Sequence, residues 1–221
     1  MQIKERSYNS KVIRPKPLIR QEDNLMVMTT TWGLAEDSER AADEIVKYVA
    51  SSMADVEVTS PFEFLSCYSD QLNALRIGAL IANDVLYRGQ NKTEYRSGVE
   101  VLALMQNENI ISWIKIGGPA MWLRQSSGQI ISLAGGNDLA WQFNWRSPPL
   151  PDSLLGVENS CDIHLGEFRV QQGEQILLAS AQHINQAIYQ NSDESLQLER
   201  MTQLLAQGHP DQAFWLGLVD I

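Results

Sequence analysis

The sequence predicts an α+β protein, a four-layer α-β-β-α sandwich of two antiparallel sheets packed face to face and flanked by helices. The candidate elements run in the order strand, two helices, many strands, helix and strand, which favours sheets with helices outside them. The middle of the chain consists of β-rich runs separated by short turn sequences. The 221 residues, 44% apolar and 20% charged, are typical of a globular protein with a sizeable core. We expect one domain over residues 1–221, because the sequence has no repeat, low-complexity segment or linker.

The first third of the chain predicts a buried strand and two amphipathic helices. NLMVMTT, residues 24–30, is the strand. Apolar residues then recur with helical spacing in both helices. The first helix presents Ala42, Ile45, Val46, Val49 and Met53. The second presents Leu72, Leu75, Ala79, Ala82 and Leu86, and is expected to end near Gly89.

The rest of the chain is predominantly β-rich. VEVLALMQ and NIISWIKIG are joined by a turn at 107–109, and AMWLRQ and QIISLAG by a turn at 126–128. These four runs predict an antiparallel meander. Residues 135–160 predict an irregular connection, and HLGEFRV and EQILLAS two more strands. A helix over 192–207 follows, with a capping box at Asn191 and Glu194, an inner face of Leu198, Met201 and Leu205, and a stop at Gly208. QAFWLGLVDI predicts the last strand.

Charge and composition exclude several classes of function. A net charge of -10 has the wrong sign for a nucleic-acid partner. Six of the 17 basic residues lie in the first 20 positions, so this segment either binds an anion or forms a solvated strand edge. No apolar run approaches the roughly 18 residues of a membrane span, and the start has no signal-peptide core. Two cysteines cannot form a disulfide framework. We therefore expect a cytoplasmic protein with no membrane partner.

Common catalytic motifs are absent from the sequence. It contains no G-x-S-x-G elbow, no P-loop, no G-x-G-x-x-G fingerprint and no H-E-x-x-H motif. His164, His183 and His209 lack a Cys or His at metal-ligand spacing. No local motif joins Ser, His and Asp into a catalytic triad.

The order of short segments along nearly the whole chain nevertheless resembles one family. RSYNSK at residues 6–11 stands where that family has R-x-x-N-E-D, and MVMTTTWGLAEDSERAADEIV stands where it has A-D-G-M-G-G and a helix. GVEVLALM and KIGGPAMWL stand at G-T-T-L-V-A-L and N-V-G-D-S-R-A-Y-L. Three later segments follow in the same order. A leucine-glycine segment of the family corresponds to LPDSLLGVE, its G-D-x-L-L-L-C-S-D-G to GEQILLASAQ, and its final D-N-x-T-V-V-V-V to PDQAFWLGLV. The family is the metal-dependent Ser/Thr protein phosphatases of type 2C, the PPM family.

The resemblance implies a site in which carboxylates hold two divalent cations that activate a water for attack on phosphorus. This chain departs from it at nearly every metal position. The D-G pair corresponds to Thr30 and Thr31, the Asp of G-D-S-R to Gly118, the Asp of S-D-G to Ala181, and the early E-D pair to Ser10 and Lys11. Placing Glu22 and Asp23 in the E-D position would put Asp23 only seven positions before Thr30, too close for the intervening hairpin, so we reject that alignment.

Two functional positions of the family are retained. Arg6 corresponds to the arginine that holds the substrate phosphate, and Asp211 to the final metal aspartate. Arg6 is alternatively a surface arginine, and Asp211 a turn residue. The Lys11 ammonium beside Arg6 could replace the lost metal charge, so that the cleft binds an anion without hydrolysing it. Lys4 and Arg14 could add to this anion site.

The hypothesis that follows is a catalytically inactive pseudophosphatase in signalling, with no metal and no cofactor, that binds a protein. The partner could be a phosphoprotein held at the old cleft, a kinase or an active phosphatase. The Trp-rich loop 141–145 (WQFNW) is either an aromatic anchor for that partner or packs over a sheet edge.

Two other hypotheses remain open. One is a divergent phosphatase that holds metal through other acids, with candidates Glu36, Asp37, Asp138 and Asp152. The other is a small-anion sensor that uses Arg6 and Lys11.

Overall fold

The computed structural model describes residues 1–9, 14–54, 59–136, 151–180, 184, 188 and 197–221. They form two compact units. The first contains residues 1–16, 118–152 and 170–221, and the second contains residues 17–117 and 153–169. The expectation of one domain over the whole chain stays a prediction.

Each unit combines one antiparallel sheet with helices. The strands are β1 (Gln2–Tyr8), β2 (Leu18–Glu22), β3 (Leu25–Trp32), β4 (Gly98–Asn107), β5 (Ile110–Ile116), β6 (Ala120–Arg124), β7 (Ile130–Ala134), β8 (His164–Arg169), β9 (Gln175–Ser180) and β10 (Phe214–Asp220). The helices are α1 (Ala35–Ala54), α2 (Asp70–Leu86) and α3 (Leu198–Gly208), with a π-helical turn at Tyr87–Asn91 after α2.

The second unit packs α1 and α2 on one face of the sheet β2-β3-β4-β5-β8. Alternation along the strands directs Val27 and Val101 toward the helices. The two helices pack closely at Gly78 of α2, where a Cβ would stand 3.4 Å from the backbone of Ile45 in α1. The Ser69 hydroxyl caps α2 by accepting from the amide of Leu72.

Buried amide side chains tie the segment before β8 to the end of α2. The Asn83 carbonyl oxygen accepts from the Gly156 amide at 2.7 Å, and its amide nitrogen donates to the Glu158 carbonyl at 3.0 Å. The Asn91 side chain donates to the Gly156 carbonyl at 2.6 Å. These bonds satisfy backbone groups of an irregular segment that no strand or helix would satisfy.

The first unit contains the sheet β1-β10-β9-β6-β7, one face of which carries α3. Leu216 and Leu218 of β10 point to that face, and Met201 and Leu205 of α3 cover them. Tyr8 of β1 stacks on Phe214 with ring centroids 5.2 Å apart. The apolar side chains on this face therefore form a core separate from that of the second unit.

The predicted α+β class, with two antiparallel sheets flanked by helices, is confirmed. The predicted meander is wrong. β4 and β5 form a hairpin in one sheet, whereas β6 and β7 form a hairpin in the other. Because β5 and β6 are buried almost throughout, their apolar pattern does not reveal which strand each one pairs with.

The side chains predicted to form the inner faces of the helices are buried or partly buried, with one exception. All five predicted positions of α2 are buried, as are Leu198, Met201 and Leu205 of α3. On α1, Val46 is partly buried, but Met53 is 44% exposed and its prediction is wrong. Helical spacing sets the direction of a side chain, but it does not set how far neighbouring elements extend along the helix. The predicted capping box at Asn191 and Glu194 lies outside the described residues.

β1 and β2 lie at the edges of their sheets, in agreement with the strand-edge alternative for the basic segment 1–20. In the described part of the chain, no helix is long and apolar enough to cross a membrane.

Candidate functional site

A row of polar groups crosses β3, β4 and β5 in the second unit, on the face opposite its helices. Thr30 of β3 is buried and pairs in register with Glu100 of β4. The Glu100 side chain extends toward Gly117, just after β5, where a Cβ would stand 2.9 Å from the Glu100 Cγ. Lys115 of β5 pairs with Leu102 of β4 and so points to the same face as Leu102. Glu100 precedes Leu102 by two residues and therefore also points to that face. We call Thr30, Glu100, Lys115 and Gly117 the polar row.

Glu100 and Lys115 are the buried charges of this row. Glu100 is 3% exposed, and its Oε2 accepts a hydrogen bond from the Trp32 indole at 3.0 Å. Lys115 is 1% exposed, and its Nζ donates to the Gly117 carbonyl at 2.5 Å. A carboxylate and an ammonium therefore both lie against Gly117, each with a hydrogen bond to its charged end.

Gly117 adopts φ +72°, the left-handed region that disfavours a side chain. A Cβ would also stand 2.6 Å from the Ser153 carbonyl oxygen. Only glycine therefore fits here without displacing the Glu100 side chain or the backbone.

Thr31 stabilises the connection from β3 to α1. Its hydroxyl donates to the Leu34 carbonyl at 2.8 Å and lies 3.4 Å from the Ser97 hydroxyl. The Ser97 hydroxyl in turn accepts from the Leu34 amide at 3.2 Å. Thr31, which the sequence resemblance aligns with the D-G glycine, thus has a role in local structure.

The described residues do not fit a binuclear metal centre. Thr30 and Thr31 offer hydroxyl groups and Gly118 offers no side chain. The carboxylate of Glu100, which pairs in register with Thr30, accepts a hydrogen bond from the Trp32 indole. Within residues 1–9, 14–54, 59–136, 151–180 and 197–221, no three His, Cys, Asp or Glu side chains are grouped closely enough to hold a metal ion.

Arg6 lies in the first unit, on the sheet face that carries α3. It pairs in register with Leu216, and its guanidinium contacts the Glu199 carboxylate at 2.8 Å. The hydrogen bond from Arg6 lowers the pKa of Glu199. The guanidinium is thus bound to an acid of the first turn of α3, and an anion would have to compete with that acid.

Lys4 forms a parallel pair on the same face. Its Nζ lies 2.8 Å from the Asp220 carboxylate, and this hydrogen bond lowers the pKa of Asp220 and raises that of Lys4. The two ion pairs flank a groove of about 400 Å³ between β1 and the start of α3. Both basic side chains of β1 on this face are therefore neutralised by acids of the same unit.

Asp211 is exposed in the turn between α3 and β10. The Tyr8 hydroxyl donates to the carbonyl of neighbouring Pro210 at 3.1 Å, so the end of β1 is adjacent to this turn. The structure brings the strand of Arg6 and the turn of Asp211 together in one unit. Thr30 and Thr31 belong to the other unit.

Several predicted positions lie outside the described residues, namely Ser10, Lys11, Asp138, the Trp-rich loop 141–145 and Ala181. Of the other alternative metal acids, Glu36 and Asp152 are exposed. Asp37 is 1% exposed, and neither of its carboxylate oxygens has a hydrogen-bond partner among the residues that the structure describes. Arg14 is buried.

Glu100 and Lys115 were not predicted as site residues. The signal that could have found them is a single charge inside a strongly apolar strand, in GVEVLALM and in IISWIKI. A charge in a strand buried on both faces requires a partner, because an unpaired buried charge is costly.

Comparison with known proteins gives the fold. No protein-family model and no curated protein sequence matches the chain. PppA, a key regulatory component of T6SS in Pseudomonas aeruginosa, has a TM-score of 0.68 at 15% identity, over 100% of this chain and 97% of that one. The PPM Ser/Thr phosphatase MsPP from Mycobacterium smegmatis, in complex with cacodylate, has a TM-score of 0.64 at 12% identity, over 100% and 98%.

A third solved structure, the catalytic domain of the serine/threonine phosphatase PstP with two manganese ions, has a TM-score of 0.62 at 15% identity, over 99% of this chain and 97% of that one. At these identities the likeness establishes the fold. The chain therefore has the fold of the PPM Ser/Thr phosphatases, as its sequence resemblance predicts.

Proposed function

We propose that this protein is a catalytically inactive pseudophosphatase with the PPM fold, which acts in the cytoplasm by binding another protein. The observation that carries the proposal is the composition of the polar row. The resemblance aligns Thr30 with a metal aspartate, and the row also contains the buried ammonium of Lys115.

The physical argument concerns charge. Two dications about 4 Å apart repel each other by roughly 16 kcal/mol at an effective dielectric near 20, and several carboxylates must offset this repulsion. Thr30 and Gly118 contribute no negative charge. The buried ammonium of Lys115 adds positive charge to the same row, which favours a protein that works without the metal pair.

Two observations support the binding role. The chain has the PPM fold but lacks most of the aspartates that would hold the metal ions, and PppA, a protein of similar fold, is a key regulatory component of T6SS. The partner classes are a phosphoprotein, a kinase or an active phosphatase. Because Arg6 is paired with Glu199, recognition through protein surface is better supported than capture of a phosphate by Arg6.

The test is phosphate release from a phosphopeptide and from an aryl phosphate, with millimolar Mn²⁺ or Mg²⁺. Wild type is compared with Asp211→Ala, which removes the retained metal aspartate. We expect no turnover by wild type above that of the variant. Turnover that Asp211→Ala abolishes would refute the proposal.

One observation favours a second candidate, a divergent metal-dependent phosphatase with a rearranged metal site. The buried Asp37 carboxylate has no hydrogen-bond donor in the described part of the chain, and a cation would compensate such a group. If this candidate is right, Mn²⁺ raises the melting temperature of wild type and not that of Asp37→Asn.

A further inference from the structure

We infer that the outer edge of β7 pairs with the same edge of a second copy of the chain, so that the first-unit sheets of two copies become one continuous sheet. The surface consists of β7 and the residues on either side of it, 125–136. The inference is independent of the proposed function, because this pairing uses no residue of the polar row.

The order of the strands leaves β7 at an edge. It follows β6 in the sheet β1-β10-β9-β6-β7, and among the described strands it pairs with β6 alone. The Gln125 amide donates to the Gln129 carbonyl at 2.8 Å. Because hydrogen-bonded and non-hydrogen-bonded pairs alternate along antiparallel strands, the backbone amides and carbonyls of Ile130 and Ser132 point away from β6. A further strand can exchange hydrogen bonds with them.

β7 differs from the other three sheet edges in its charge. Each of the other edge strands contains acidic and basic side chains, namely Lys4, Glu5 and Arg6 in β1, Arg20 and Glu22 in β2, and Glu167 and Arg169 in β8. Charged side chains on an edge strand oppose pairing with another chain. β7 has the sequence IISLA, and residues 125–136 include no charged residue. Of the four edges in the described sheets, that of β7 alone lacks this protection.

A second copy fits this edge because β7 is self-complementary. An antiparallel pair about a two-fold axis at Ile131 places Ile130 of one copy opposite Ser132 of the other, and Ile131 opposite its own counterpart. None of these contacts brings like charges together. In β1, the same operation centred on Glu5 would bring two carboxylates together.

The segment that would pair is the regular part of β7. Residues 130–132 pair in register with 124–122 of β6, and the bulge begins only after Ser132, where Ala134 pairs with Met121. The Ser132 side chain is exposed. Residues 130–132 can therefore be extended by one more strand without a change in the sheet.

The proposed interface is small. Pairing of two such short segments forms about four main-chain hydrogen bonds, and it is expected to bury less than the roughly 1,200 Å² of a stable interface. Each copy also carries a net charge of -10, so two copies repel each other at low salt. We therefore expect a weak dimer that salt strengthens, whereas salt would weaken a dimer held by ion pairs.

The test is sedimentation equilibrium of the full chain over a range of protein concentrations. Wild type is expected to dimerise more tightly in about 500 mM than in about 50 mM NaCl. Ser132→Lys and Ser132→Glu each place like charges at the centre of the paired strands, and each alone is expected to raise the dimer dissociation constant at least about tenfold. An equimolar mixture of the two variants is expected to associate again, because opposite charges then lie side by side.

Ser51→Lys is the matched control. Ser51 is exposed on α1 in the second unit, and the substitution changes the net charge as Ser132→Lys does. We expect this control to associate like wild type. Because Ser132→Lys and Ser132→Glu change the net charge in opposite directions, a loss of association in both does not arise from net charge.

Hydrogen exchange tests the pairing without a substitution, should a charged variant fail to fold. Exchange of the Ile130 and Ser132 amides is expected to slow as the concentration of wild type rises. Exchange that does not change, a wild type that stays monomeric, association that both Ser132 variants retain, or a variant mixture that stays monomeric would overturn the inference. A monomeric wild type would leave the edge to a strand of a different protein, and the proposed function, which phosphate release tests, would stand.

Discussion

Replacement of Gly117 by alanine tests the geometry of the polar row. The residue has φ +72°, and an alanine in this left-handed region costs about 1–2 kcal/mol. The added Cβ would also stand 2.6 Å from the Ser153 carbonyl oxygen and 2.9 Å from the Glu100 Cγ. Overpacking of this kind costs about 1–3 kcal/mol, so the total loss of unfolding free energy is about 2–5 kcal/mol.

Gly173 provides the matched control. Its φ is +86°, but a Cβ there would have nothing within 4 Å. Gly173→Ala therefore carries the backbone cost of about 1–2 kcal/mol without the overlap. The difference between the two variants isolates the close approach at Gly117.

The assay is urea unfolding of wild type and both variants, followed by circular dichroism and fitted with a common slope. We expect Gly117→Ala to lose at least about 1 kcal/mol more than Gly173→Ala. Equal losses would mean that the close packing of Glu100 against Gly117 does not exist in the folded protein.

Three further predictions follow from other contacts. Asn83→Ala, which leaves the buried Gly156 amide without its side-chain acceptor and also removes the bond to the Glu158 carbonyl, is expected to cost about 1–3 kcal/mol in urea unfolding; a loss below about 0.5 kcal/mol would contradict this. Burial, and then the charge of the next residue, raises the pKa of Cys161 to about 11, so at pH 8 a thiol reagent should label exposed Cys67 rapidly and Cys161 only slowly; equal rates would contradict it. Lys4→Met should raise the pKa of Asp220 toward its ordinary value in an NMR titration, because the ammonium lowers it; an unchanged midpoint would refute the ion pair.

Apolar periodicity predicted the elements whose side chains face a neighbouring layer. Ile45 and Leu75 recur with helical spacing because both helices bury one face against the same sheet. Periodicity could not assign β5 and β6 to different sheets, since strands buried on both faces show no alternation. It also missed β1, whose charged side chains form ion pairs at a sheet edge.

For the candidate site, the sequence predicted only that most of the metal-binding aspartates are missing. The sequence resemblance aligns Thr30 with a metal aspartate, but it did not indicate that Glu100 pairs with Thr30 across β3 and β4. Glu100 and Lys115 are 15 residues apart in the chain, and their proximity depends on the β4–β5 register, which pairs Lys115 with Leu102. Register is set by packing and turn geometry together.

Counting bound Mn²⁺ ions tests the central claim most directly. Electron paramagnetic resonance detects free Mn²⁺, so the loss of its signal on adding protein gives the number of ions bound per chain. We expect no bound pair at millimolar Mn²⁺ in wild type. Two ions bound per chain, with binding lost in Asp211→Ala, would contradict the account and favour a rearranged binuclear metal site.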